Sequence, residues 1–171
     1  IKAFAGWLNT SYTQHVAVFF QNPSELRPGG GFIGSYADIS IKKGSVADIS
    51  VSDIYDPDGQ LDLKTIPPKP LQGITTTWGA RDANWFFDFP TSAHKVIEML
   101  ERSKIYRERL VSFEGAIGIN VRVIQSILEI LGPTELKEYN LALTKDNFLE
   151  RIQREVETGP DKAKAEPKRI L

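Results

Sequence analysis

Glu25, Arg27 and three consecutive glycines, Gly29, Gly30 and Gly31, lie in one bend of Gln21–Tyr36, between two apolar runs that read as strands. A carboxylate, a guanidinium and free backbone N–H groups in one turn can converge on an anion, because glycine lets the main chain approach closely and arginine offers a planar fork of donors. A second segment, Thr75–Pro90, repeats the arginine–aspartate pairing at Arg81 and Asp82 among aromatics, with Trp78, Trp85 and Phe86 able to cover or stack on a ligand and Asp88 further on. Two arginines arriving from separate segments would strengthen an anion site. The bland alternatives are a glycine bend or bulge, an Arg27 paired locally with Glu25, and aromatics that belong to the core.

Several familiar chemistries do not fit. Gly29, Gly31 and Gly34 have the spacing of a dinucleotide fingerprint, but the chain that follows, Phe32 to Ile41, is strand-like rather than the helix a pyrophosphate requires. The acidic run Asp53, Asp56, Asp58 and Asp62 has Ile54 and Thr65 where a calcium loop needs ligands, so turn chemistry at Asp58-Gly59 explains it better, and no metal ligand is assigned. His94 stands two residues after Ser92, too close for base and nucleophile to face each other on a helix. No cysteine is present, which removes disulfides and thiolate catalysis.

With 171 residues, 41% hydrophobic and 25% charged, the chain suits one globular domain. A net charge of −1 gives no pull toward nucleic acid. No apolar run reaches the ~20 residues that cross a bilayer, and the start at Ile1 and end at Leu171 read as those of an excised piece.

The elements that must hold these residues follow from pattern. Ile1–Leu8 has helical spacing. His15–Phe20 is a β-branched and aromatic run expected at the centre of a sheet and buried on both faces. Lys42-Lys43-Gly44 turns a second strand into Ser45–Ile54, an early hairpin, and Pro67, Pro68 and Pro70 mark a long loop. A helix capped by Thr91 or Ser92 follows, then a strand over Leu110–Ile119. Asn120 caps a second helix with Val121, Ile124, Ile127, Leu128 and Leu131 inward and Gly132-Pro133 as its stop. Glu135–Leu143 reads as a short strand, and Thr144 opens a third helix supported by a Glu150–Arg154 pair. The pattern predicts an α/β fold, a three-layer sandwich with a mixed central sheet and about three packed helices. Residues 1–14 are a helical lead-in, 15–157 a single domain and 158–171 a solvated linker.

Gln21-Asn22, Glu25-Leu26-Arg27-Pro28, Gly30 to Tyr36, Arg81-Asp82-Ala83-Asn84-Trp85, Asp88-Phe89-Pro90, Ser92-Ala93 and Leu131-Gly132-Pro133 resemble the bacterial domain-of-unknown-function family four-zero-one-two. The resemblance runs from about His15 to the end. It implies an extracytoplasmic, envelope-facing domain whose parent protein is anchored in the membrane ahead of it. The domain is also remotely similar to the LytR-CpsA-Psr phosphotransferases, which implies a polyprenyl pyrophosphate or cell-wall glycopolymer as partner and, in a catalytic version, magnesium. Only Arg81-Asp82 echoes that enzyme family, and Gly79-Ala80 stands where a serine-proline precedes the pair there. The expectation is a ligand site of Glu25, Arg27, Gly29, Gly30, Gly31, Arg81 and Trp85, with Asp82 and Asp88 as the catalytic acids. The alternative is a non-catalytic scaffold in which the same motifs lock the fold.

Overall fold

A computed structural model describes residues 6–62 and 64–158. The lead-in helix expected over Ile1–Leu8 lies outside the described residues except for a helical turn at Gly6–Leu8, and the linker lies outside them beyond Thr158. Chain packing divides the protein into two compact units after Gly118.

The first unit is built on a four-stranded mixed sheet in the order β3-β2-β1-β4. β1 (Gln14–Asn22) is an interior strand whose alternate residues are buried on both sides: Ala17 and Phe19 on one face, Val16 and Val18 on the other. β-branched and aromatic residues in an unbroken run suit this position, since neither face has to meet water. β2 (Phe32–Lys42) pairs antiparallel with β1, with a register shift at Phe20/Gln21. β2 turns through Lys43 and Gly44, at φ 51° and 75°, into β3 (Ser45–Asp53). Two successive positive φ values define the tight hairpin turn whose twist matches the strands, and the second is free of strain because it is glycine. β4 (Phe113–Asn120) forms the other edge.

The acidic stretch after β3 contains a short helix, α1 (Tyr55–Asp58), which the turn-rich sequence did not suggest. The Asp53 side chain accepts the Tyr55 N–H at 2.9 Å and starts it. The proline loop then leads through single 3-10 turns at Lys69–Leu71 and Ala80–Asp82 to α2 (Phe89–Arg102). This helix begins earlier than its serine and threonine suggested: the N-cap is Asp88, whose carboxylate accepts the Thr91 N–H at 2.9 Å and hydroxyl at 2.6 Å. Ser92 is instead buried, exchanging hydrogen bonds with the backbone of Phe86. Ala93, Val96 and Leu100 of α2 join Phe19, Ile33 and Tyr36 of the sheet in one apolar core. α3 (Lys104–Arg107) carries Tyr106 into the same core, where its hydroxyl meets that of Tyr36 at 2.9 Å.

In the second unit α4 (Val121–Leu131) follows Asn120, whose side chain accepts the Arg122 N–H at 3.0 Å, and it stops at Gly132 with φ 78°. Of the residues expected inward only Leu128 is buried, while Ile127 and Leu131 are exposed, a correction to the apolar face read from spacing alone. The single strand expected over Glu135–Leu143 is a small antiparallel pair, β5 (Thr134–Leu136) and β6 (Leu141–Leu143), because Asn140 takes a left-handed conformation, φ 49°, and reverses the chain. α5 (Phe148–Thr158) is preceded by reciprocal bonds between Thr144 and Asn147 and carries the Glu150–Arg154 pair at 3.0 Å.

Candidate functional site

Gln21, at the register shift, reaches across the glycine bend with its amide N–H donating to the Gly29 carbonyl at 3.1 Å. Glu25 accepts the Phe32 N–H on its carbonyl at 2.9 Å, and the Arg27 carbonyl accepts the Gly30 N–H at 3.1 Å, so the loop closes on itself. Its remaining ties run to the second motif. The Gly29 N–H donates to the Asn84 carbonyl at 3.1 Å, and the Asn84 side chain donates to the Gly31 carbonyl at 3.0 Å.

This contact explains the glycines. A Cβ on Gly29 would lie 1.9 Å from the Asn84 side-chain oxygen. Gly31 has φ +125°, and a Cβ there would meet the Asn22 carbonyl oxygen at 2.2 Å. The run makes room for the Asn84 side chain at Gly29 and for the Asn22 main chain at Gly31.

The expected meeting of the arginines occurs, around a carboxylate. Arg27 donates from Nε and Nη2 to Asp82 Oδ1 at 2.8 and 2.6 Å, while Arg81 Nε lies 3.3 Å from Asp82 Oδ2. Arg81 also donates from Nη1 to Asp58 Oδ2 at 2.8 Å and from Nη2 to the Thr75 hydroxyl and Thr77 carbonyl at 3.0 and 3.2 Å. Asp58 Oδ1 accepts the Ala80 N–H at 2.6 Å, fixing the 3-10 turn that carries Arg81 and Asp82. The result is a row Arg27–Asp82–Arg81–Asp58 with two charges of each sign. Its side chains are 9%, 4%, 15% and 3% exposed, respectively. Phe32 lies under Arg27 and Tyr55 under Arg81, each 5.5 Å from guanidinium carbon to ring centre. Burial raises the Asp58 carboxyl above its ordinary value, against the pull of the Ala80 N–H and the Arg81 guanidinium.

The other expected site residues lie outside this row. Glu25 pairs with the Asn22 side chain at 3.2 Å instead of with Arg27, since the nearer carboxylate in space belongs to a residue 55 positions later. Asp88 is an exposed helix cap, held below the ordinary carboxyl range by the Thr91 hydroxyl and N–H. Trp85 is half-buried. Asp58 and Asn84, the residues that complete the row and the glycine contact, were not singled out from sequence. Asn84 had a signal, two positions after Asp82 in the quoted motif, whereas Asp58 read as turn chemistry. Among the described residues no cluster of three or more histidines, aspartates and glutamates could hold a metal ion.

The fold and this row define a small mixed α/β domain whose two signature segments are clasped by charge and by backbone contact. The profile "Protein of unknown function (DUF4012)" matches residues 12–156, and the chain belongs to that family. Comparison with curated proteins and with solved structures gave no match.

Proposed function

We propose that this domain is a non-catalytic interaction or scaffold module of a membrane-anchored envelope protein, and that its two signature segments serve as a structural clasp. The observation that carries this reading is the pairing of Arg27 and Arg81 with Asp82 and Asp58 in a nearly buried, charge-balanced row. The Arg27 side chain is 9% exposed and commits three of its five N–H donors to protein acceptors, two to Asp82 and one to the Leu26 carbonyl. Asp82 has both oxygens engaged by guanidinium groups of the protein itself. The envelope setting rests on the family resemblance. Among the described residues no helix is long and apolar enough to cross a membrane.

A second reading has one observation in its favour. Two arginines from distant segments do converge on a single carboxylate, the arrangement expected of a pyrophosphate site in a glycopolymer transferase with magnesium. It requires Asp82 to release both arginines to the ligand. Calorimetric titration with inorganic pyrophosphate and magnesium separates the two. The clasp predicts no binding and a lower Tm for Arg27→Met. Binding by the unmodified chain, lost in Arg27→Met at unchanged Tm, would assign the row to a ligand.

A further inference from the structure

We infer that a second site, the cavity of about 160 Å³ between the chain after α1 and the C-terminal half of α2, takes one apolar side chain of a partner polypeptide together with an adjacent carboxylate. This rests on the reading of the domain as an interaction module and supplies the chemistry of its partner.

Trp78, Thr65 and Met99 line this cavity, with Asp62, Arg102 and Arg107. Met99 is buried and marks the apolar floor, while Asp62, Arg102 and Arg107 are exposed and put charge at the mouth. Trp78 is held on three sides: its backbone N–H donates to the Thr65 carbonyl at 2.8 Å, its indole N–H to the Asp82 carbonyl at 3.2 Å, and the Lys95 ammonium lies 5.3 Å from its ring. A fixed aromatic wall costs little ordering on binding. The same Asp82 that joins the two arginines therefore also positions this wall.

Size selects the occupant. Pockets for drug-sized molecules run to roughly 300–1,000 Å³, whereas a cavity of about 150 Å³ accepts a benzene-sized group. One leucine or phenylalanine side chain is the matching volume. Charge selects its neighbour. Arg107 pairs with Asp62, and Glu98 is shared by Arg102 at 2.9 Å and Lys95 at 2.8 Å, so of the charged residues that line the cavity two are arginines and one is a carboxylate. The Asp62–Arg107 and Glu98–Arg102 pairs are about half exposed at both partners, where an ion pair is weak and screened. A partner carboxylate can thus take the place of Asp62 or Glu98 on an arginine that already faces the cavity.

The test uses the full chain and N-acetyl-phenylalanine, which joins one apolar side chain to one free carboxylate. The readout is the indole N–H resonance of Trp78, assigned through Trp78→Phe. We expect a saturable shift that weakens on the order of tenfold with N-acetyl-phenylalaninamide, about the value of one charge-assisted hydrogen bond. Acetate alone gives no shift, and Arg102→Gln with Arg107→Gln weakens the response to N-acetyl-phenylalanine to that of the amide. Equal response to the amide, an undiminished response without both arginines, the same shift with acetate, or no shift overturns the assignment. The amide comparison is made on the unmodified chain and does not depend on any variant folding. The probe carries no phosphate, so failure here and a positive pyrophosphate titration are separate outcomes.

Discussion

Arg27 donates two hydrogen bonds to one oxygen of Asp82, at 2.8 and 2.6 Å, across 55 residues of chain. That oxygen is shared by two nitrogens of one guanidinium, and the other faces Arg81, so a single carboxylate fixes both signature segments. Removing it leaves a cation nearly out of water.

Asp82→Ala is therefore expected to lower stability by about 3 kcal/mol or more, the loss seen when one partner of a buried pair is removed. Replacing both members with apolar residues, Arg27→Met with Asp82→Leu, leaves no orphaned charge between them. The double variant should lose less than the sum of the single variants by on the order of 1–3 kcal/mol. Urea denaturation of the four proteins measures this, and strict additivity would mean that the two side chains are not coupled.

Gly29→Ala places a methyl group where the Asn84 side chain sits, and the expected cost is roughly 1–3 kcal/mol. Shortening the neighbour in Gly29→Ala/Asn84→Ala removes the clash but also the bond to Gly31, so rescue will be incomplete. Gly31→Ala meets main chain at an unfavourable φ and has no side chain to move aside, so its Tm should fall further than that of Gly29→Ala.

Alkaline stability should decline from about pH 10. Burial raises both tyrosine hydroxyls that face each other, Tyr36 and Tyr106, above their ordinary value of 10.0. The unfolded chain gives up these protons at that value and the folded chain keeps them. The stabilisation is complete below pH 10 and is lost as pH rises toward the folded values. In Tyr106→Phe the stability–pH curve should be flatter above pH 10, which denaturation at pH 8 to 11 will show. An unchanged slope would exclude this pair as its source.

On the acid side two aspartates act in opposite directions. The Asp88 carboxyl is lowered below its ordinary 3.8 by the Thr91 hydroxyl and N–H, so its contribution is present above that value and is lost as pH falls through the folded value. Asp88→Ala should lower Tm at pH 7, and the difference from the unmodified chain should shrink below pH 3.8. Asp58 is raised by burial, so its shift favours the folded state below 3.8 and that contribution is lost as pH rises through the folded value. Thermal melts of Asp88→Ala and of the unmodified chain from pH 3 to 7 measure the first of these contributions.

Where the pattern was local, sequence alone specified the structure. The run His15–Phe20 required a strand buried on both faces, Lys43-Gly44 a two-residue turn, and Asn120 with Gly132 the ends of α4. These follow from side-chain shape and backbone torsions within a few residues. Burial in α4 was not legible, because helical spacing defines which residues share a face but not which of them meet a partner. Nor was the helix start at Asp88, since Asp, Ser and Thr all cap well and only packing decided that Ser92 would turn inward.

Charge partners were the least legible. In sequence, Glu25 is the natural acid for Arg27 and Asp82 for Arg81. Folding instead brings Asp82 to both arginines and adds Asp58 from a stretch that reads as a turn. Residue types by themselves determined that two arginine-bearing segments and a glycine bend exist. Tertiary structure decided that they close on one another, because an ion pair is set by distance through space and by exclusion of water, neither of which is written in the order of the residues.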